Sequence, residues 1–167
     1  MASKIVFSYE LAESYIQKKK KFCIIKNSNY YYYNQKGTFM NLKHSKQRDS
    51  IKEFLATRKD HPTADVVYMN VRQSFPNISL GTVYRNLTLL ADIGEIARLR
   101  VGDGVDHFDY DTSPHYHFVC SECGGVTDLN IPVTDLMTKA VQETFEGEVK
   151  GQVTYFYGRC GNCIPKN

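Results

Sequence analysis

No stretch of the 167-residue sequence approaches the roughly 20 consecutive apolar residues a membrane helix needs, and the N-terminus lacks the basic, apolar, small-residue succession of a secretory signal. Both absences lead to the expectation of a cytoplasmic protein with no membrane partner. A disulfide framework is missing as well. Of the five cysteines, Cys23 stands alone, while Cys120, Cys123, Cys160 and Cys163 form two Cys-x-x-Cys pairs. In a reducing compartment such pairs read as metal ligands. Strong charge of one sign is also lacking, the formal net charge being +3. Residues 1–40 hold seven Lys and two Glu, residues 41–110 ten basic against nine acidic residues, and residues 111–167 four against seven. Net charge therefore cannot carry a nucleic-acid reading, which has to rest on motif and local placement.

Periodicity and helix caps are absent from residues 1–39, an atypical extension with Lys18-Lys19-Lys20-Lys21 and Tyr30-Tyr31-Tyr32-Tyr33. Two readings stay open for it. One is a mis-assigned start, with Met40 the initiator and Lys36-Gly37-Thr38-Phe39 encoded by a purine-rich ribosome-binding sequence. The other is a basic arm that touches phosphates.

From residue 40 onward the chain is patterned. The spacing predicts a helix capped by Ser45 with Ile51, Phe54 and Leu55 on one face, and a second capped by Thr63 with Val66, Val67, Met69 and Val71. A third opens at Ser79, carries Val83, Leu87, Leu90 and Ile93 inward, and closes at Gly94. Residues 96–101 and 105–110 flank Gly102-Asp103-Gly104 as a β-hairpin. Three helices and a hairpin over residues 40–110 make a winged helix-turn-helix. After a hinge at 111–114, residues 115–167 read as a small α/β unit with strands at 117–120, 126–131 and 149–157. Its helix at 133–145 carries Leu136, Ala140, Val141 and Phe145 on one face. The fold class is thus α+β, and so small a second domain needs a staple or a partner.

Four thiolates on two glycine-rich turns suit tetrahedral Zn²⁺ in a closed, structural site, the alternative being two unrelated redox or free-thiol pairs. His115-x-His117 places two imidazoles on one side of a strand, with Asp109 and Asp128 on neighbouring segments. The pair alone reads more readily as solvent-exposed or structural. With both carboxylates the mixed N/O set suits Fe²⁺ or Mn²⁺. His61, in His61-Pro62-Thr63-Ala64-Asp65, reads as a cap or loop residue or as a ligand bridging the two halves. On the third helix Ser79, Thr82, Tyr84, Arg85 and Asn86 are placed for base edges and phosphates, and Lys46 and Arg48 on the first helix for phosphates. The alternative is an ordinary polar surface.

With these residues assembled, the chain resembles the ferric uptake regulator family over about residues 42–163, and within it the peroxide-responsive branch. The resemblance rests on His61 to Asp65, Ser79 with Tyr84-Arg85-Asn86-Leu87, Phe108-Asp109, His115-Tyr116-His117 and both cysteine pairs in order. It implies a homodimeric repressor that binds double-stranded operator DNA, with a C-terminal dimerisation unit and a structural zinc. The implied sensing ligands are His61, Asp109, His115, His117 and Asp128, binding Fe²⁺ or Mn²⁺. Asp at 128, where iron-uptake members usually carry Glu, is the peroxide-branch feature, and iron-driven oxidation would fall on His61 and His115. Two departures stand out: residues 1–39 do not match the family's usual first helix, and Gly151-Gln152 replaces a histidine of an extra metal site, so one non-structural site per subunit is expected. The rival readings are an iron- or zinc-uptake regulator without peroxide sensing, a non-haem iron enzyme, and a zinc-ribbon module that does not bind DNA. Against the enzyme stand five protein ligands, which leave at most one open position.

Overall fold

The computed structural model describes residues 23–26, 29–33, 39–149 and 152–165. Lys18 to Lys21 and residues 150–151 lie outside them, so neither the basic-arm reading nor the departure at Gly151 is addressed by the fold.

The chain divides into two compact units, Met1–Ser45 and Lys46–Asn167. In the first, β1 (Cys23–Lys26), β2 (Asn29–Tyr33) and β3 (Phe39–Lys43) form an antiparallel meander in that order. No strand periodicity is legible there in the sequence. The strands are nearly continuous aromatic or mixed runs, which a search for alternation misses.

In the second unit α1 (Lys46–Ala56), α2 (Ala64–Ser74) and α3 (Leu80–Asp92) pack together around Ile51, Leu55, Val67, Val71, Val83, Leu87 and Leu90, all fully or nearly fully buried. Each such aliphatic side chain contributes about 1.5–3 kcal/mol on leaving water. The ends of α3 follow from local chemistry. Ser79 Oγ accepts from the Thr82 N–H at 3.1 Å, a side-chain N-cap. At the other end Gly94 adopts φ +79°, and the N–H groups of Gly94 and Glu95 donate to the carbonyls of Ala91 and Leu90 at 3.1 and 2.9 Å. That pair of bonds is a Schellman close, available cheaply only to glycine at the left-handed position.

Helix α2 differs from expectation. Thr63 occupies the N-cap position, yet its hydroxyl makes no capping bond, and its backbone instead bridges to His107. Of the four apolar residues the sequence places on this helix, Val66 and Met69 are exposed, because the inward stripe runs through Ala64, Val67 and Val71.

The hairpin is present as β4 (Ala97–Arg100) and β5 (Asp106–Asp109), turning through Gly102 and Gly104 at positive φ. The remaining sheet has the order β7-β6-β8, from β6 (Tyr116–Cys120), β7 (Val126–Leu129) and β8 (Tyr155–Gly158). Strand β7 is antiparallel to β6 and β8 parallel to it. The chain returns to β8 through α4 (Leu136–Thr144). Leu99 and Val101 of the wing share a core with Val119 and Val126 of the sheet, and the Tyr157 hydroxyl donates to the Val101 carbonyl at 3.0 Å. Helix α4 buries none of its residues: Leu136, Met137 and Val141, and Phe145 beyond its end, are exposed. The apolar face is as expected, with nothing among the described residues covering it.

Candidate functional site

The loop before α2, the end of β5 and the β6–β7 pair converge on one point. His61 lies in the loop, Asp109 ends β5, His115 precedes β6, His117 lies on β6 and Asp128 on β7. One ligand atom from each falls within 4.8 Å of all the others. The register accounts for part of this, since His117 stands opposite Asp128 across the antiparallel pair and His115 projects to the same side two residues earlier. His61 Nε2 is 2.7 Å from Asp128 Oδ1 and 3.4 Å from Asp109 Oδ2. His115 Nε2 is 3.1 Å from each of those oxygens, and His117 Nε2 is 3.6 Å from each.

The rings are oriented from behind. His115 Nδ1 lies 2.8 Å from the Ser113 carbonyl oxygen, and His61 Nδ1 makes a longer contact, 3.4 Å, with that of Val126. Carbonyls only accept, so these rings carry hydrogen on Nδ1 and turn an Nε2 lone pair inward, the arrangement of metal-ligating histidines. Asp109 is aimed in the same way, its Oδ1 accepting the Asp111 N–H at 2.8 Å. His61 Nε2, Asp109 Oδ2 and His117 Nε2 are buried and, for all these short approaches, make no hydrogen bond of good geometry. An unsatisfied buried polar atom costs about 1–3 kcal/mol, so three at one point call for a cation. The three imidazoles and two carboxylates fit a divalent first-row metal that accepts mixed N/O ligands.

Electrostatics agree. Burial works against the charge of Asp109, but the neighbouring His117 and His61 rings and the Asp111 N–H outweigh it and hold its carboxyl well below the usual carboxylate range. Burial likewise opposes protonation of His61, while Asp109 and then Asp128 more than offset it and raise its pKa. Positive charge at this point is what the site favours, supplied by protons if by nothing else.

His61 has φ +48°, the one positive value among described residues other than glycine. Left-handed backbone costs such a residue roughly 1–2 kcal/mol. The strand beside it supplies the restraint. The Phe108 N–H donates to the Pro62 carbonyl at 3.1 Å, and His107 Nδ1 donates to the carbonyl of His61 itself at 2.9 Å. Sequence reasoning does not find His107. It belongs to no motif, and 46 residues separate it from its partner.

The second cluster gathers Cys120, Cys123, Cys160 and Cys163, again with all ligand atoms within 4.8 Å. Gly124, at φ +69°, turns the chain between β6 and β7, with its N–H donating to the Cys120 carbonyl at 2.9 Å. In the Cys160 loop the N–H groups of Cys163 and Ile164 both donate to the Cys160 carbonyl, at 2.9 and 3.1 Å. The backbone N–H groups of Cys123 and Cys160 hold the Cys120 thiol down to about 6, while hydrogen bonding with Cys160 and Cys123 pushes Cys163 up to about 12. One thiolate forms readily and Cys163 resists, so a four-thiolate shell needs a dication to complete it. The set fits tetrahedral zinc.

The expected nucleic-acid residues lie along α1 and α3. Lys46 is exposed and Arg48 half-buried on the first turn of α1. On α3, Tyr84 and Arg85 are exposed, and Thr82 and Asn86 half-buried. Arg85 donates to Thr82 Oγ1 at 3.1 Å, and Ser79 Oγ lies 2.9 Å from the same oxygen, so Ser79 serves the cap first.

Residues 40–152 match the Ferric uptake regulator family. The Peroxide-responsive repressor PerR of Staphylococcus saprophyticus is 38% identical over 120 residues, 72% of this chain and 81% of that protein. Among solved structures, the ferric uptake regulator of Vibrio cholerae shares 28% identity with a TM-score of 0.58, over 71% of this chain and 92% of that one. The peroxide stress regulator of Campylobacter jejuni shares 27% at a TM-score of 0.55, over 70% and 88%.

Proposed function

The chain belongs to the ferric uptake regulator family, and from that premise we propose that it is a metal-dependent, DNA-binding transcriptional repressor that responds to peroxide. Membership puts it among regulators, not enzymes, which removes the non-haem iron enzyme reading. The observation that carries the proposal is the set of three buried, unpartnered atoms, His61 Nε2, Asp109 Oδ2 and His117 Nε2, facing one point from the helical half and the C-terminal sheet alike.

In this reading His61, Asp109, His115, His117 and Asp128 hold Fe²⁺ or Mn²⁺, and Cys120, Cys123, Cys160 and Cys163 hold a structural Zn²⁺. Bound Fe²⁺ supplies the one-electron chemistry by which peroxide adds oxygen to a nearby imidazole. The chain contributes the target rings. His115 is the most exposed of the three, with 18% of its side chain accessible, and meets an oxidant entering from solvent first, while His61 is 1% accessible and lies against Asp128. An oxidised ring gives up its Nε2 lone pair and with it the hold on the loop before α2. The peroxide branch is supported by Asp at 128 and by the name of the relatives at 36–38% identity.

Operator DNA binds through α3, with Thr82, Tyr84, Arg85 and Asn86 outward and Lys46 and Arg48 on phosphates, Ser79 fixing the helix start. A second copy of the chain covers Leu136, Met137, Val141 and Phe145, since an apolar surface of this kind marks an interface. Cytoplasmic location follows from the proposed role.

The test is operator binding by protein loaded with Fe²⁺ or Mn²⁺, before and after one brief peroxide pulse, with mass spectrometry of the peptides carrying His61 and His115. The proposal expects only the iron form to release DNA and gain oxygen on a ligand histidine. If both forms stay bound and unoxidised, the protein is an iron- or zinc-uptake regulator of the same family.

A further inference from the structure

Among the described residues four polar side chains are buried: His61, Asp109, His117 and His107. The first three belong to the metal cluster. His107 does not, and its ring is gripped from both sides. Nδ1 lies 2.9 Å from the carbonyl oxygen of His61, and Nε2 lies 3.0 Å from Asp103 Oδ2 in the wing turn. Asp103 is itself set in place, accepting the Val105 N–H at 3.0 Å. A continuous chain of contacts therefore runs from the wing turn through one imidazole to the main chain of a candidate ligand.

We propose that His107 is a positioning residue for the metal centre, holding the backbone of His61 in its left-handed conformation and so aiming His61 Nε2 at Asp109 and Asp128. The inference rests on the metal-binding reading above. Nothing in the local sequence asks for φ +48° at this position. His61 has a Cβ, and the following Pro62 biases the residue before it toward extended backbone. The restraint must come from elsewhere in the fold. The neighbouring contacts, Thr63 bridged to His107 and the Phe108 N–H on the Pro62 carbonyl, fix the residues after His61. The His107 ring is what holds the His61 carbonyl itself. If that peptide rotates, the His61 ring leaves its place 2.7 Å from Asp128 Oδ1.

The experiment measures Mn²⁺ affinity, the Mn²⁺ EPR line shape and the manganese-free melting temperature of the zinc-loaded full chain, comparing wild type with H107L, H107Q, D103A and D109N. H107L keeps the buried volume and removes both ring nitrogens. H107Q keeps an N–H for the His61 carbonyl. Losing a group that orients a ligand costs on the order of 10- to 100-fold in metal affinity, so H107L is expected to bind about tenfold more weakly with an altered line shape. H107Q recovers most of the affinity, and D103A, which removes the partner on the far side of the ring, falls between H107L and wild type. Wild-type affinity in H107L overturns the proposal, and so does equal weakening in H107L and H107Q, which assigns the effect to space and not to the hydrogen bond. Should H107L not fold, D103A decides, and unchanged affinity there overturns the clamp. Wild-type protein with no Mn²⁺ binding that D109N abolishes refutes the metal-binding reading, and this inference with it. Normal behaviour of wild type and D109N beside an unaffected H107L refutes the positioning role alone.

Discussion

Asp109→Asn separates a metal ligand from a structural carboxylate, and the structure sets the size of the effect. His61 Nε2, Asp109 Oδ2 and His117 Nε2 make no hydrogen bond of good geometry within the protein, and a divalent cation would satisfy all three. A ligand that binds only the folded state at about 100 times its Kd stabilises by about 2.7 kcal/mol. For a chain of this length 1 kcal/mol moves the melting temperature by about 2–4 °C, so saturating Mn²⁺ should raise Tm by roughly 5–11 °C. The substitution preserves the side chain's shape and the Oδ1 that accepts from the Asp111 N–H. It withdraws the negative charge and the inward-facing oxygen. Calorimetry on zinc-loaded protein should therefore find the metal-free Tm shifted by no more than about 4 °C, equivalent to roughly 1 kcal/mol, with most of the Mn²⁺-dependent rise gone. An undiminished Mn²⁺ response in the variant would falsify ligation by Asp109. A collapse of the metal-free Tm would instead make the carboxylate a structural partner of the histidines.

Cys160→Ser should remove stoichiometric zinc and open residues 115–165 to proteolysis while α1 to α3 stay protected; unchanged zinc content and cleavage pattern would refute the four-cysteine assignment. Leu136→Glu, on the uncovered face of α4, should convert dimer to monomer in sedimentation with little change in the monomer's helicity, and a persisting dimer would move the interface elsewhere. Arg85→Ala should weaken operator binding by about 1–3 kcal/mol, and equal affinity would take Arg85 out of the DNA contact. Mn²⁺ affinity should climb with pH: His61, whose pKa is raised, stabilises the metal-free protein in its charged form below the ordinary value of about 6.5 and loses that stabilisation as pH rises through the raised one, where metal no longer competes with its proton. Titrations that are flat from acid to neutral pH would count against an inward-facing His61.

Legibility in the sequence tracks how local each cause is. Helix α3 is readable end to end, because a Ser cap, an inward stripe and a Gly close are set by neighbours a few residues apart. Helix α2 is readable in extent but not in its face. Val66 and Met69 are as apolar as Val67 and Val71, and only packing against α1 and α3 selects between them. Both cysteine pairs announce themselves by spacing. His61 stays open between cap and ligand, since its approach to Asp128 depends on a loop meeting a strand 67 residues away, a distance that spacing cannot encode. His107 is invisible for the same reason. The face of α4 is legible as apolar, yet what covers it is not among the described residues.

Among the described residues the helical half meets the C-terminal sheet at the wing and around the metal cluster, and the two joints differ in what they need. Leu99 and Val101 of the wing pack on Val119 and Val126, and Tyr157 reaches the Val101 carbonyl; four aliphatic side chains at about 1.5–3 kcal/mol each hold whether or not a metal is bound. The five-residue cluster takes only His61 and Asp109 from the helical half, and Asp109 is already carried by the wing strand β5. The loop at His61 is itself bonded to β5 through the His61 and Pro62 carbonyls and the Thr63 bridge, so what the centre adds is a tie from that loop, and the start of α2 behind it, to Asp128 of the sheet. In the proposed function, metal occupancy then acts by tying the loop before α2, together with the wing strand that carries it, to the C-terminal sheet. On that account oxidation of His61 breaks the tie to the sheet directly. Oxidation of His115, on the sheet side of residues 111–114, works only by loosening what Asp109 and Asp128 offer to His61.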